Sequence, residues 1–220
     1  MDDGRLTEIA GRAGERYGFT EARAAFAPFR DMKVRWVRCS GEISFELSDY
    51  LADAPEDAVE GLFDTVFRRI RGEDADYPPA FVEWVTSDRF RWRNQGTYVS
   101  RSRHIDAEKD GSALRESYQR LVDKGLVKEI EGLRLYWSDI DAAAKTGESS
   151  CLMRVVSMTP ALLDAGTEVL DYCLLYHLSN IQEGFGSDDA DRTEKITMIL
   201  DRYMGKDDAR KWLEEKGVEL

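Results

Sequence analysis

An α+β fold follows from three features of the sequence. LRLYWS and CLMRVVSMT read as strands, and the long apolar segment DYCLLYHLSNIQ follows them as a buried helix. Earlier in the chain, KVRWVRCSGEISFEL alternates with a period of two. Behind it, Val59, Leu62, Phe63, Val66, Phe67 and Ile70 recur at helical spacing. The expected architecture is a small sheet packed against the later helix, with additional helices at both ends.

The elements can be placed in order. Residues 3–28 read as one helix, broken near Gly18 and closed at Pro28. KVRWVRCSGEISFEL is a strand or hairpin with Val34, Trp36, Ile43, Phe45 and Leu47 facing inward. Pro55 suits the first turn of the next helix, Gly72 ends that helix, and EDADYPP is an acidic turn. A shorter helix around Pro79–Thr86 leads into a basic segment. GSALRESYQRLVDKGLV is amphipathic, with Leu114, Tyr118, Leu121 and Val122 inward and Gly125 as its C-cap. LRLYWS turns Leu133, Leu135 and Trp137 to one face. Thr167 can cap the long helix that runs through Gln182, and two charged helices near 190–204 and 206–216 close the chain. Two strand-to-helix corners, LADAPEDAVEGLF and LLDAGTEVLDYCL, match with an offset of 111 (Asp53 against Asp164). The plainer reading is that both corners use similar caps.

A chain of 220 residues suits one large domain or a domain with an appended subdomain, here with an N-terminal region 1–110 and a core region 111–220 that can form one continuous domain. Its 42% of hydrophobic residues can bury a core, and five Trp, nine Tyr and nine Phe argue against disorder. The net charge of -12 repels phosphate over most of the surface, although it leaves room for one basic patch. Cys39, Cys151 and Cys173 form no CxxC pair, which points away from a disulfide framework or a cysteine zinc site. Cys151 and Cys173 read as small buried hydrophobes. The opening MDDGRLTEIAGRAG is charged and lacks an apolar leader core, and no apolar run is long enough for a membrane span. A soluble, cytoplasmic protein is expected.

From about Arg35 onward, the order of motifs resembles the SprT-like zincin metallopeptidases, particularly an archaeal and bacterial group. ISFELSDYLADAPEDAVEGLFDTVFRRI is similar to that group's early strand and helix. FVEWVTSD with the arginines after it, and LRESYQRLVDKGLV, are similar to its middle section. LYWS, MRVVSMTPALLD and VLDYCLLYHL are similar to its strand–strand–helix core, and ITMILDRYMGKDDARKWLEEKG to its closing helices. The resemblance implies a zincin-like fold in which the long helix is the active one. That helix carries H-E-x-x-H in the family, where two histidines hold zinc and the glutamate activates water. Here His177 matches the first histidine, but Leu178 stands at the glutamate and Ile181 at the second histidine. Arg192 falls near the third ligand, so the motif is degenerate and zinc is expected to be absent.

His177 can be read from its own surroundings as well. Leu170, Cys173, Leu174, His177 and Ile181 form one helical stripe, which favours a core histidine hydrogen-bonded to Ser, Tyr or backbone groups. The other reading is a residual ligand, with Glu183, Asp188 or Asp191 completing a non-standard metal site. His104, the other histidine, has no ligand-like neighbour at helical spacing. Ser138, Ser149, Ser150 and Ser179 lie in no G-x-S-x-G frame, and KTGESS lacks the frame of a phosphate loop.

RFRWRNQGTYVSRSRH is the strongly basic stretch. Arg89, Arg91, Arg93, Arg101 and Arg103 alternate with Phe90, Trp92 and Tyr98, a composition suited to single-stranded nucleic acid. RFRWR also fits an amphipathic strand with Phe90 and Trp92 inward, and the arginines can instead pair with the surplus carboxylates. Taken together, these features point to a catalytically inactive metallopeptidase homologue that binds or scaffolds an unknown protein partner. The alternatives are a metal-dependent peptidase built around His177 and a nucleic-acid-associated protein.

Overall fold

In the computed structural model, which describes residues 1–139, 145–186 and 189–220, the chain divides into two units, Met1–Arg101 and Ser102–Leu220. The fold is α+β. Among the described residues it comprises eight α-helices and two small mixed sheets.

The first unit opens with α1 (Asp3–Arg16), whose N-terminus is capped by the Asp2 carboxylate accepting the Arg5 amide. Leu6, Ile9, Ala10 and Ala13 form its fully buried stripe. The helix stops at Tyr17, and Gly18 takes φ +80°, a conformation that residues with a Cβ rarely adopt. A helix running on to Pro28 is therefore not what forms. Residues Glu21–Ala27 are a strand, β1, with Ala22 and Ala24 turned inward. EARAAFA favours helix by propensity, but sheet pairing and the packing of α1 override that preference.

Strands β2 (Val34–Cys39) and β3 (Glu42–Ser48) make a hairpin through Ser40 and Gly41, both with positive φ. The sheet order is β1-β3-β2, with β1 parallel and β2 antiparallel to the central β3. Ile43, Phe45 and Leu47 are buried, as the alternation predicts. Trp36 lies opposite Phe45 and so shares its face, yet it is 46% exposed because β2 is the sheet edge. After a 3-10 turn at Asp49–Leu51 comes α2 (Glu56–Ile70), with Pro55 as its N-cap rather than within its first turn. Phe63 and Phe67 meet the Phe45 ring edge-on at 5.2 Å, which fixes α2 across the sheet. Helices α3 (Pro79–Thr86) and α4 (Asp88–Arg101) complete the unit. RFRWR is thus helical, and Trp92 points outward, 80% exposed, instead of inward from a strand.

The second unit begins with the short β4 (Ile105–Asp106) and α5 (Ser112–Asp123), which ends at Lys124 before Gly125 at φ +63°. Strands β5 (Arg134–Ser138), β6 (Gly147–Ser150) and β7 (Val155–Met158) follow. The sheet order is β4-β5-β7-β6, with β7 parallel to β5 and antiparallel to β6. CLMRVVSMT is a strand only over its second half, since residues 151–154 form the turn from β6. After a 3-10 turn at Pro160–Leu163, α6 (Thr167–Glu183) runs with nearly its whole circumference buried. Gly166, not Thr167, is its N-cap. Helices α7 (Asp189–Asp201) and α8 (Lys206–Lys216) pack on α6.

Apart from β4, which has no counterpart in the first unit, the two units repeat one topology: helix, strand, hairpin, 3-10 turn, long helix, then two further helices. A shift of 111 positions carries the parallel pairs Ala24–Phe45 and Phe26–Leu47 onto Leu135–Val156 and Trp137–Met158. The edge strands are related by 113, since Val34 lies opposite Leu47 and Gly147 opposite Met158. The hairpin is therefore two residues shorter in the second unit, where Ser150–Val155 encloses four residues and the equivalent pair Val37–Ser44 encloses six. The matching strand-to-helix corners therefore belong to a repeat of the whole unit, which similar caps alone do not explain.

Candidate functional site

His177 sits on the sheet-facing side of α6 and is 3% exposed. The Thr146 hydroxyl lies 3.4 Å from its Nε2 and the Ser149 hydroxyl 3.5 Å from its Nδ1, both at the long end of hydrogen bonding. The Tyr176 ring meets the imidazole edge-on at 5.1 Å. A neutral imidazole offers one donor and one acceptor, and hydroxyls can answer either. Burial pushes the His177 pKa down to about 4, so the ring is uncharged near neutrality. Gly147 makes the necessary room. A Cβ there would lie 2.5 Å from the Ser157 carbonyl oxygen, 2.9 Å from the Met158 sulfur and 3.0 Å from His177 Nε2.

The other motif positions do not converge on this ring as ligands. Leu178 and Ile181 are packed core. Arg192, on α7, donates from Nη2 to the Asn180 carbonyl at 3.0 Å. Glu183 and Asp191 both face Lys195, at 3.6 and 2.7 Å, while Asp188 lies outside the described residues. His104 Nε2 pairs with Glu148 at 3.3 Å. Among the described residues, no three His, Cys, Asp or Glu side chains gather as a metal set. The Ser149–His177 contact resembles a nucleophile and base, but the far ring nitrogen faces Thr146 instead of an orienting carboxylate. Ser179 donates to the Leu175 carbonyl one turn back, a local helical bond. Cys173 is buried, with its thiol pKa pushed up to about 12 by burial, whereas Cys151 is only partly buried and Cys39 is exposed.

One buried polar centre carries no motif. Asp171, 1% exposed on α6, accepts from the Ser117 hydroxyl at 2.7 Å and from Arg120 Nη2 at 2.6 Å, with Lys124 at 3.7 Å. The carboxylate is fully engaged, so it acts as an electrostatic latch between α5 and α6. The signal was an acidic residue on an otherwise apolar helix face, with Arg120 and Lys124 four residues apart on the helix packed against it.

Three arginines of the basic stretch are engaged by carboxylates of the first unit. Arg101 makes two 2.6 Å bonds to the Asp49 carboxylate, donates to the Phe29 carbonyl and lies over the Tyr50 ring. Arg93 pairs with Asp53 at 2.6 Å, Arg91 with Asp88 at 3.2 Å, and Arg89 lies over Trp84. Arg103 is exposed but belongs to the second unit. Acids of the first unit thus pair with Arg91, Arg93 and Arg101.

The repeat places His177 in a wider frame. The 111 shift carries Val66 onto His177 and Phe81 onto Arg192, and the 113 shift carries Val34 and Trp36 onto Gly147 and Ser149. In the first unit, the groove between edge strand and long helix is lined by Val34, Trp36, Leu62, Val66, Ile70 and Phe81, and holds about 400 Å³. In the second, the corresponding strand and helix positions close on the imidazole. No helix among the described residues is long and apolar enough to cross a membrane. Compared with known proteins, the chain matches no family model, no curated sequence and no solved structure.

Proposed function

We propose that the chain is a catalytically inactive, SprT-like protein that serves as a binding or scaffolding module. The observation that carries this reading is the state of His177: 3% exposed, uncharged, and held between two hydroxyls. Zincin chemistry needs an open coordination position and a carboxylate that activates water. Here Leu178 and Ile181 occupy the carboxylate and second-ligand positions as core. On this reading α6 is the former active helix, and β5, β7 and β6 are the small zincin-like sheet behind it. Elemental analysis of the purified protein, with hydrolysis of unfolded casein, tests the proposal. The expected result is no stoichiometric zinc and no cleavage. One equivalent of tightly held zinc, lost together with peptidase activity in His177→Ala, overturns it.

A further inference from the structure

The groove of the first unit is the strongest candidate for a ligand site. It lies between the edge strand β2 and helix α2, with Tyr77 and Phe81 also lining it, and its volume of about 400 Å³ is within the range of small-molecule sites. Its wall is apolar and aromatic, apart from two cations, Lys33 and Arg69. No acid lines it, although the chain as a whole carries a net charge of -12.

Most cations of the first unit pair with acids. Arg5, Arg16, Arg68, Arg93 and Arg101 each pair with a carboxylate of the first unit. Among the described residues, no carboxylate pairs with Lys33 or Arg69. Lys33 lies over the Phe29 ring at 4.7 Å. Arg69 lies over the Tyr77 ring at 4.4 Å and donates from Nε to the Ala75 carbonyl at 2.9 Å. The Arg69 side chain is thus anchored at the groove wall without a carboxylate partner. An apolar groove edged by cations that no carboxylate pairs complements one ligand chemistry: an apolar body bearing an anionic head.

We infer that this groove binds a small amphiphilic carboxylate, of the kind represented by a medium-chain fatty acid. The apolar chain lies against Val34, Trp36, Val66 and Phe81, and the carboxylate is held by Lys33 and Arg69. The inference deepens the binding-module reading by naming a ligand class, but it uses nothing around His177. Failure to bind a carboxylate therefore leaves the zinc and peptidase results untouched.

Isothermal titration with sodium octanoate tests it, with 1-octanol and octyltrimethylammonium as neutral and cationic controls, all kept below micelle formation. Saturable one-to-one binding of octanoate is expected, with the other two weaker. A change in tryptophan emission should accompany binding and disappear in Trp36→Phe. Lys33→Gln combined with Arg69→Gln should weaken octanoate by about tenfold or more and leave octanol unchanged. Both side chains are exposed, so the fold should survive the exchange, and Lys33→Gln alone provides a milder check. Absence of saturable binding, equal affinity for octanoate and octanol in the parent, or unchanged octanoate affinity in the double variant would each overturn the inference.

Discussion

The two units build the same strand-to-helix frame and fill it differently. Where the first unit has Val34, Trp36 and Val66 around an open groove, the second has Gly147, Ser149 and His177 in close contact. The exchange is coordinated across three positions. An imidazole needs polar partners when buried, so Ser149 stands in place of Trp36, Thr146 just before the edge strand in place of Lys33, and glycine at the valine position, where a side chain would collide. The histidine of the second unit therefore reads as a space-filling element of the sheet–helix interface. The first unit keeps that space free.

The largest effect should come from forcing the family motif back onto the second unit. Leu178→Glu with Ile181→His places a carboxylate where the side chain is fully buried. The expected loss is about 3–5 kcal/mol of stability, measured by urea denaturation, with weak zinc binding while Arg192 stands unchanged. A variant as stable as the parent, and tightly metallated, would mean that the site remains open to solvent and metal.

Next comes the glycine that admits the ring. Gly147→Ala pushes a methyl group towards a carbonyl oxygen at 2.5 Å and should cost about 1–3 kcal/mol. Val34→Ala at the matching position, on the wall of an open groove, should cost clearly less. Equal losses would break the contrast between a closed and an open interface.

His177→Ala should also cost about 1–3 kcal/mol, from a cavity and two hydroxyls left without the ring. His177→Val, which copies the first unit's Val66, should recover part of that loss. The same variant should also alter the pH dependence. The folded-state pKa of His177 is lowered to about 4, below an unfolded value of about 6.5. The unfolded chain therefore binds the extra proton between these values, and stability falls as pH drops from about 6.5 towards about 4. Above that window the contribution is fully present. Subtracting the profile of His177→Val from that of the parent should isolate this slope, because the carboxylates are common to both.

The smallest effects concern the arginines of α4. Arg101→Ala breaks a bidentate, partly buried pair with Asp49 and should lower stability by about 1–2 kcal/mol. Arg93→Ala, on a more exposed pair, should change it by about 0–1 kcal/mol. The parent protein should show no retention of single-stranded DNA in low salt. Salt-dependent binding that is lost when Arg91, Arg93, Arg101 and Arg103 are all replaced by Ala would restore the nucleic-acid reading.

Much of this was legible in the sequence. Helical spacing located α2, α5 and α6, and Pro79–Thr86 has its expected limits. The stripe Leu170, Cys173, Leu174, His177 and Ile181 is buried throughout. What escaped has identifiable physical causes. Strand β1 is alanine-rich and became a strand through pairing, which local propensity opposes. Strand β6 shows no apolar alternation because its inward residues, Gly147 and Ser149, serve an imidazole. The repeat showed only at the strand-to-helix corners, since the hairpin turns differ in length and the facing residues differ in chemistry. Asp171 gave little warning because its partners lie on another helix, about fifty residues upstream.

NMR titration of the imidazole tests whether His177 is a neutral packing residue in the sheet–helix interface where the first unit keeps a groove. The chain has only two histidines, so the His177 signals can be assigned by comparison with a His104→Gln variant. His177 should titrate near pH 4 and show no shift when zinc is added. An imidazole that titrates near the ordinary value of about 6.5, or moves on addition of one equivalent of zinc, would contradict the account.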